Sequence, residues 1–222
     1  SSKGINIVPW NYRYRMPKVA KAKTFSRGGF AAPTVPPGVY TLRMAKGKTT
    51  YESTLELIAD PASVHTAEER LAQHETAMQL YAMNEELAYL VDQLDQVSAG
   101  VSQRLEAEAP KKLKQELIGY QGALEKLREG LVVTTGDNYV GAAAPQLRER
   151  MGSLYSEVVG YAGRPSNAQM DNLALLKGEL QQATEEAGQL MGQLQTLNKK
   201  LAANGLEALA FRSKEEFMEA DQ

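Results

Sequence analysis

Chemistry in a chain without cysteine rests on histidines, carboxylates and hydroxyls. The two histidines, His65 and His74, stand nine residues apart, a spacing that does not place both on one helical face at the separation of a metal pair. Surface or capping roles are expected of them. The carboxylates gather as adjacent pairs, Glu68-Glu69, Glu85-Glu86, Glu185-Glu186 and Glu215-Glu216. They fall off the apolar seams, where solvated faces and intrahelical ion pairs account for them. Glycoside hydrolysis needs two convergent carboxylates, and no two are marked out here. Gly28-Gly29, Gly136 and Gly141 make no phosphate-cradling loop, since neither GxxxxGK[ST] nor a strand-linked GxGxxG occurs. There is no GxSxG elbow to raise a serine nucleophile. The sequence therefore carries no recognisable catalytic, metal or cofactor site.

Binding has one candidate. Trp10, Tyr12 and Tyr14 alternate with Asn11, Arg13 and Arg15, so a strand would place the three aromatics on one face. Exposed, such a face stacks sugar rings and makes a carbohydrate-binding module; buried, it is part of a core. The alternation with Asn and Arg suits the buried face.

The elements that must position these residues change character near residue 61. Upstream, Val8, Trp10, Tyr12 and Tyr14 keep a period of two and predict a half-buried strand. Pro33, Pro36, Pro37 and Gly38 punctuate the entry to a β-hairpin, in which Tyr40, Leu42 and Met44 alternate on one side of a turn at 45–48. Tyr51, Ser53, Leu55 and Leu57 follow on the other. Residues 18–29 are compatible with a further strand and loop. Three to five strands are legible, fewer than the seven or so of an immunoglobulin-type sandwich. Residues 1–61 are thus expected either to pack on the helices or to be a partial β-sandwich with its earlier strands lying upstream, and the second is preferred.

From residue 62 onward the period is helical. Thr66 with Glu69 forms a capping box, and Leu80, Met83, Leu87, Leu90, Leu94, Val97 and Val101 step by three and four. A second helix is predicted after Pro110 and carries Leu113, Leu117, Tyr120, Leu124, Leu127 and Leu131. Gly136, Asp137, Asn138 and Gly141 interrupt the pattern over 133–142, and Leu147, Met151, Leu154, Val158 and Tyr161 resume it until Arg164-Pro165. Ser166 with Gln169 opens a last long helix with a seam from Leu173 to Leu201, stopped at Asn204-Gly205. Ser213 with Glu216 can cap a short final one. The expected fold class is α+β, mainly α: the β segment followed by a long antiparallel three-helix bundle with an interrupted middle helix, or alternatively a four-helix bundle. The seams could also meet a partner helix and give an oligomer; antiparallel self-packing is the expectation.

Composition agrees with a folded chain, at 43% hydrophobic and 23% charged residues. Residues 1–60 hold ten Lys and Arg against only Glu52, Glu56 and Asp60, so this part is basic and the remainder acidic. Basic segments can bind nucleic acid or anionic glycan, but these side chains are spread along strand faces and loops, and nucleic-acid binding is not expected. No apolar run approaches the roughly 18 residues that span a bilayer, and the first residues lack the charged-then-apolar pattern of a secretion signal.

Three stretches together resemble a known pattern: Lys3-Gly4-Ile5-Asn6-Ile7-Val8-Pro9-Trp10-Asn11-Tyr12-Arg13-Tyr14, then Pro36-Pro37-Gly38-Val39-Tyr40-Thr41-Leu42-Arg43, then Leu57 to Asp60-Pro61. They resemble the C-terminal region of large bacterial β-propeller proteins with BNR or sortilin-like repeats, often labelled glycosyl hydrolases. Asn11 stands where that pattern commonly has Asp, and Pro9 precedes the Trp. The resemblance covers residues 3–61 by motif and the rest only by helical character. It implies a non-catalytic accessory module, an upstream propeller domain as partner, and export to the periplasm or cell surface. It transfers no catalytic residue.

Overall fold

The computed structural model describes residues 4, 5, 7–24, 30–134 and 143–220. Two strands, β1 (Gly38–Lys46) and β2 (Thr49–Leu57), precede five helices: α1 (Ala67–Glu106), α2 (Lys111–Leu131), α3 (Leu147–Val159), α4 (Asn167–Ala203) and α5 (Lys214–Glu219). Gly136, Asp137, Asn138, Gly141 and Gly28-Gly29 lie outside the described residues.

The helices begin where their sequences satisfy the first free N–H groups. Thr66, Ser166 and Ser213 each accept from the backbone three residues on, while Glu69, Gln169 and Glu216 reach back to the cap. The start of α3 carries a signal the sequence reading passed over: Glu149 accepts from the Gln146 N–H at 3.2 Å. Tyr161, assigned to the third seam, falls beyond α3, which ends at Val159.

Side-chain pairs give the directions of the helices. Asp95 meets Arg128 at 2.5 Å and Ser98 meets Gln121 at 2.8 Å, so α2 runs back along α1. Gln73 donates to the Val158 carbonyl at 2.7 Å, so α3 continues that descent toward the start of α1. Thr76 lies beside Met170, and Thr184 beside Glu86, so α4 rises parallel to α1. The middle rod is therefore two pieces, α2 and α3, both packed between two long helices. Leu80, Leu94, Leu117, Leu124, Met151, Tyr155, Leu176 and Leu201 are buried along these seams. At about 25 cal/mol per Å² of apolar surface removed from water, this burial is the dominant stabilising term.

The β segment departs from expectation. It is not a sandwich: among the described residues the only sheet is β1–β2, and residues 7–24 form no strand beyond one isolated bridge, Arg13 to Thr34. Tyr12 explains part of this, because its φ of 57° lies in the left-handed region and breaks the period of two. The residues beyond it are claimed by the helices. The buried Lys18 ammonium donates to the Phe217 carbonyl and, at 2.5 Å, to the Ala220 carbonyl at the end of α5, and lies 4.9 Å over the Phe217 ring. Arg148 of α3 donates to the Ala20 carbonyl at 2.7 Å. Phe30 lies against Gly152, where a Cβ would meet the ring at 2.9 Å, so a side chain there would have to displace the ring. Ala20 and Phe30 thus share one core with the helices, across the division placed between residues 61 and 62.

Candidate functional site

The three aromatics singled out by spacing do not share a face. The Trp10 ring meets Tyr12 edge-on, with centroids 5.2 Å apart, and Tyr40 of β1 likewise at 5.6 Å. Tyr14 turns the other way and stacks on His74 of α1 at 5.8 Å. The left-handed Tyr12 is the cause, since it rotates Trp10 toward the hairpin while Tyr14 stays on the bundle. Tyr40 joins the cluster and was missed as a site residue, although its alternation with Leu42 and Met44 is visible in the sequence.

The cluster is fixed to the bundle from below. Val35 donates to the Tyr12 carbonyl at 2.8 Å and Tyr14 donates to the Pro33 carbonyl at 3.0 Å. The Arg13 guanidinium reaches the Ala32 carbonyl at 2.5 Å, and Arg15 pairs with Glu85 of α1 at 2.9 Å. The Tyr40 hydroxyl donates to the Pro36 carbonyl. Burial, with Tyr14 as the lesser cause, lifts the Tyr40 hydroxyl pKa above the ordinary tyrosine value. His74 titrates below its ordinary value because burial outweighs its hydrogen bond with the Thr34 backbone and the field of Glu75.

Above this root the hairpin stands by itself. Gly47, with φ 61°, takes the first place of the two-residue turn, which in a type II′ hairpin favours glycine. The register pairs Tyr40 with Leu55, Leu42 with Ser53 and Met44 with Tyr51, so one face is almost wholly apolar. The other carries Thr41 opposite Thr54 and the Arg43–Glu52 ion pair at 2.8 Å. Neither strand packs extensively on a helix. Leu42, Met44 and Tyr51 remain 45%, 59% and 51% exposed on the face whose pattern calls for a cover. A lone two-stranded hairpin is marginally stable in water.

The polar candidates are engaged elsewhere. Glu68 pairs with Arg164, Glu69 and Glu216 cap helices, and Glu85 holds Arg15. Glu86 meets Thr184, and Glu185 and Glu186 accept from Gln181 and Gln182. His65 lies edge-on to Tyr161 at 5.1 Å, away from His74 on Tyr14. Among the described residues no three His, Asp or Glu gather as metal ligands, and no helix is long and apolar enough to cross a membrane. A groove of about 480 Å³ between α2 and α4 is lined by Tyr120, Ala123, Leu190 and Leu197, with Glu116 and Lys200 paired at 2.5 Å beside it.

Compared with protein-family models, with curated proteins and with solved structures, the chain matches none of them.

Proposed function

We propose that this chain is a non-catalytic structural and interaction module of a larger exported β-propeller protein. The bundle is its rigid support, and the hairpin is the element that docks. The uncovered apolar face of Leu42, Met44 and Tyr51 carries this reading, because binary-patterned strands gain stability only when that face is removed from water. The propeller as partner, and export, rest on the resemblance of residues 3–61 alone. A second reading, a carbohydrate-binding module, draws on exposed Tyr12 beside Trp10. Their edge-to-face arrangement offers a ring edge where sugar stacking wants an open ring face.

The test is a photo-crosslinking side chain in place of Met44, in the polypeptide as its host makes it. Adducts containing propeller peptides are expected. Absence of any protein adduct, together with a saturable shift of Trp10 emission on titration with polysaccharides, would replace docking by glycan binding.

A further inference from the structure

The outward face of α2 repeats with the spacing of a packed seam. Lys111, Gln115, Ile118, Gly122, Glu125 and Glu129 recur at intervals of four and three, on the side opposite Leu113, Leu117, Tyr120 and Leu124, and all six are exposed. Ile118, 60% exposed, is the large apolar side chain among them. One turn on is Gly122, where an added Cβ would meet nothing within 4 Å. Packing within the described residues therefore does not call for glycine there, although glycine weakens a helix interior. The charges are also set against their own helix. Lys111 stands in the first turn and Glu129 in the last, each at the end of the macrodipole that disfavours it. The ion pairs that α2 makes with the other helices use Arg128, to Asp95, and Glu116, to Lys200.

We propose that this face is a self-association site, on which α2 pairs antiparallel with α2 of a second copy of the chain. In an antiparallel helix pair each layer joins the two alternating classes of seam position. Ile118 then lies opposite Gly122 of the partner subunit, Lys111 opposite the partner's Glu129, and Gln115 opposite the partner's Glu125. Two-fold symmetry repeats every layer on the far side of an axis level with residue 120. A shift by one heptad sets Ile118 against the partner's Glu129 or the partner's Gln115 and leaves one charged end overhanging. Parallel pairing sets Lys111 on the partner's Lys111, Glu125 on the partner's Glu125 and Gly122 on the partner's Gly122, like charge on like charge and hole on hole. The antiparallel register alone gives each end its opposite charge and each Ile118 its hole. Glycine at the contact lets the axes approach to about 8 Å, and the partner's charges offset the unfavourable placement of Lys111 and Glu129. The seam is about 27 Å long and holds one helix from each copy, so the dimer forms and dissociates with concentration. It goes beyond the docking of the hairpin and does not depend on it.

Sedimentation equilibrium of the chain over a dilution series tests this. The parent is expected to dimerise reversibly. Lys111→Glu and Glu129→Lys, each alone, set like charges together at both ends of the seam and should weaken the dimer about tenfold. Both changes suit the macrodipole, so neither threatens the helix. An equimolar mixture of the two variants restores opposite charges at both ends of the mixed dimer and should regain the parent's affinity, a rescue that parallel pairing does not give. Gly122→Gln fills the hole and should dissociate the dimer while circular dichroism shows the helix content kept. A parent that stays monomeric at every concentration, a dimer that neither charge reversal nor Gly122→Gln weakens, or a mixture no tighter than its two components would each overturn the assignment.

Discussion

Along α1 the residues that recur every three or four positions, from Leu80 to Val101, are sealed by α2, α3 and α4. Along β1 the residues that recur every second position, Tyr40, Leu42 and Met44, run from a partly covered root to an open tip. Both patterns are regular, and both define an apolar face. The difference is a second surface of matching shape. α1 finds one within the chain because α2 and α3 run back along it and α4 rises beside them. Among the described residues the hairpin has beside it Trp10, Tyr12 and a short ladder at the root. A periodic pattern thus specifies which face is to be buried, and the rest of the fold decides whether anything buries it.

Substitutions on the two sides sharpen this contrast. The largest effect is expected of Leu94→Ala, which empties a fully buried site on α1 and should cost about 2–5 kcal/mol in denaturant unfolding. A cost under about 1 kcal/mol would mean that the seam is loosely packed.

Tyr120→Phe is smaller and has a pH signature. The Tyr120 hydroxyl donates to the Leu190 carbonyl at 2.9 Å, so its removal should cost about 1 kcal/mol at neutral pH. Burial raises its pKa from 10.0 to about 12. The folded state therefore keeps a proton that the unfolded chain gives up. That contribution is complete below pH 10 and is lost as pH rises through about 12. The parent should lose stability over this alkaline range more steeply than the Phe variant, as measured by thermal melts at stepped pH. Parallel pH profiles would show that Tyr120 is not the group responsible.

The smallest effect belongs to the hairpin. Met44→Thr on its open face should change the unfolding free energy of the chain by no more than about 0.5 kcal/mol, because Met44 is largely exposed. A loss comparable to that of Leu94→Ala would erase the distinction between the two regions.

Much of this was legible in the residues. The capping pairs Thr66/Glu69, Ser166/Gln169 and Ser213/Glu216 place three helix starts, and Asn204-Gly205 places a stop, because each is a local hydrogen-bond problem solved within four residues. The hairpin was legible for the same reason: its turn and alternation are local. The candidate site was legible only in part. Trp10 and Tyr12 do meet, but Tyr14 does not join them and Tyr40 does. The dihedral of Tyr12 that separates them leaves no mark in composition or spacing.

What the sequence determined by itself is the helices and the hairpin, their apolar faces and the interruption of the middle rod, since period, caps and turns act over a few residues. Tertiary structure alone decided that residues 17–24 lie on the helices, that Lys18 closes the carbonyl end of α5, and that β1 and β2 carry an apolar face with no cover. Those outcomes depend on groups up to two hundred residues apart meeting in space, such as Lys18 with Phe217 and Ala220. Lys18 can leave water because two carbonyls at a helix C-terminus and an aromatic ring replace its hydration, and no local pattern records that the three converge.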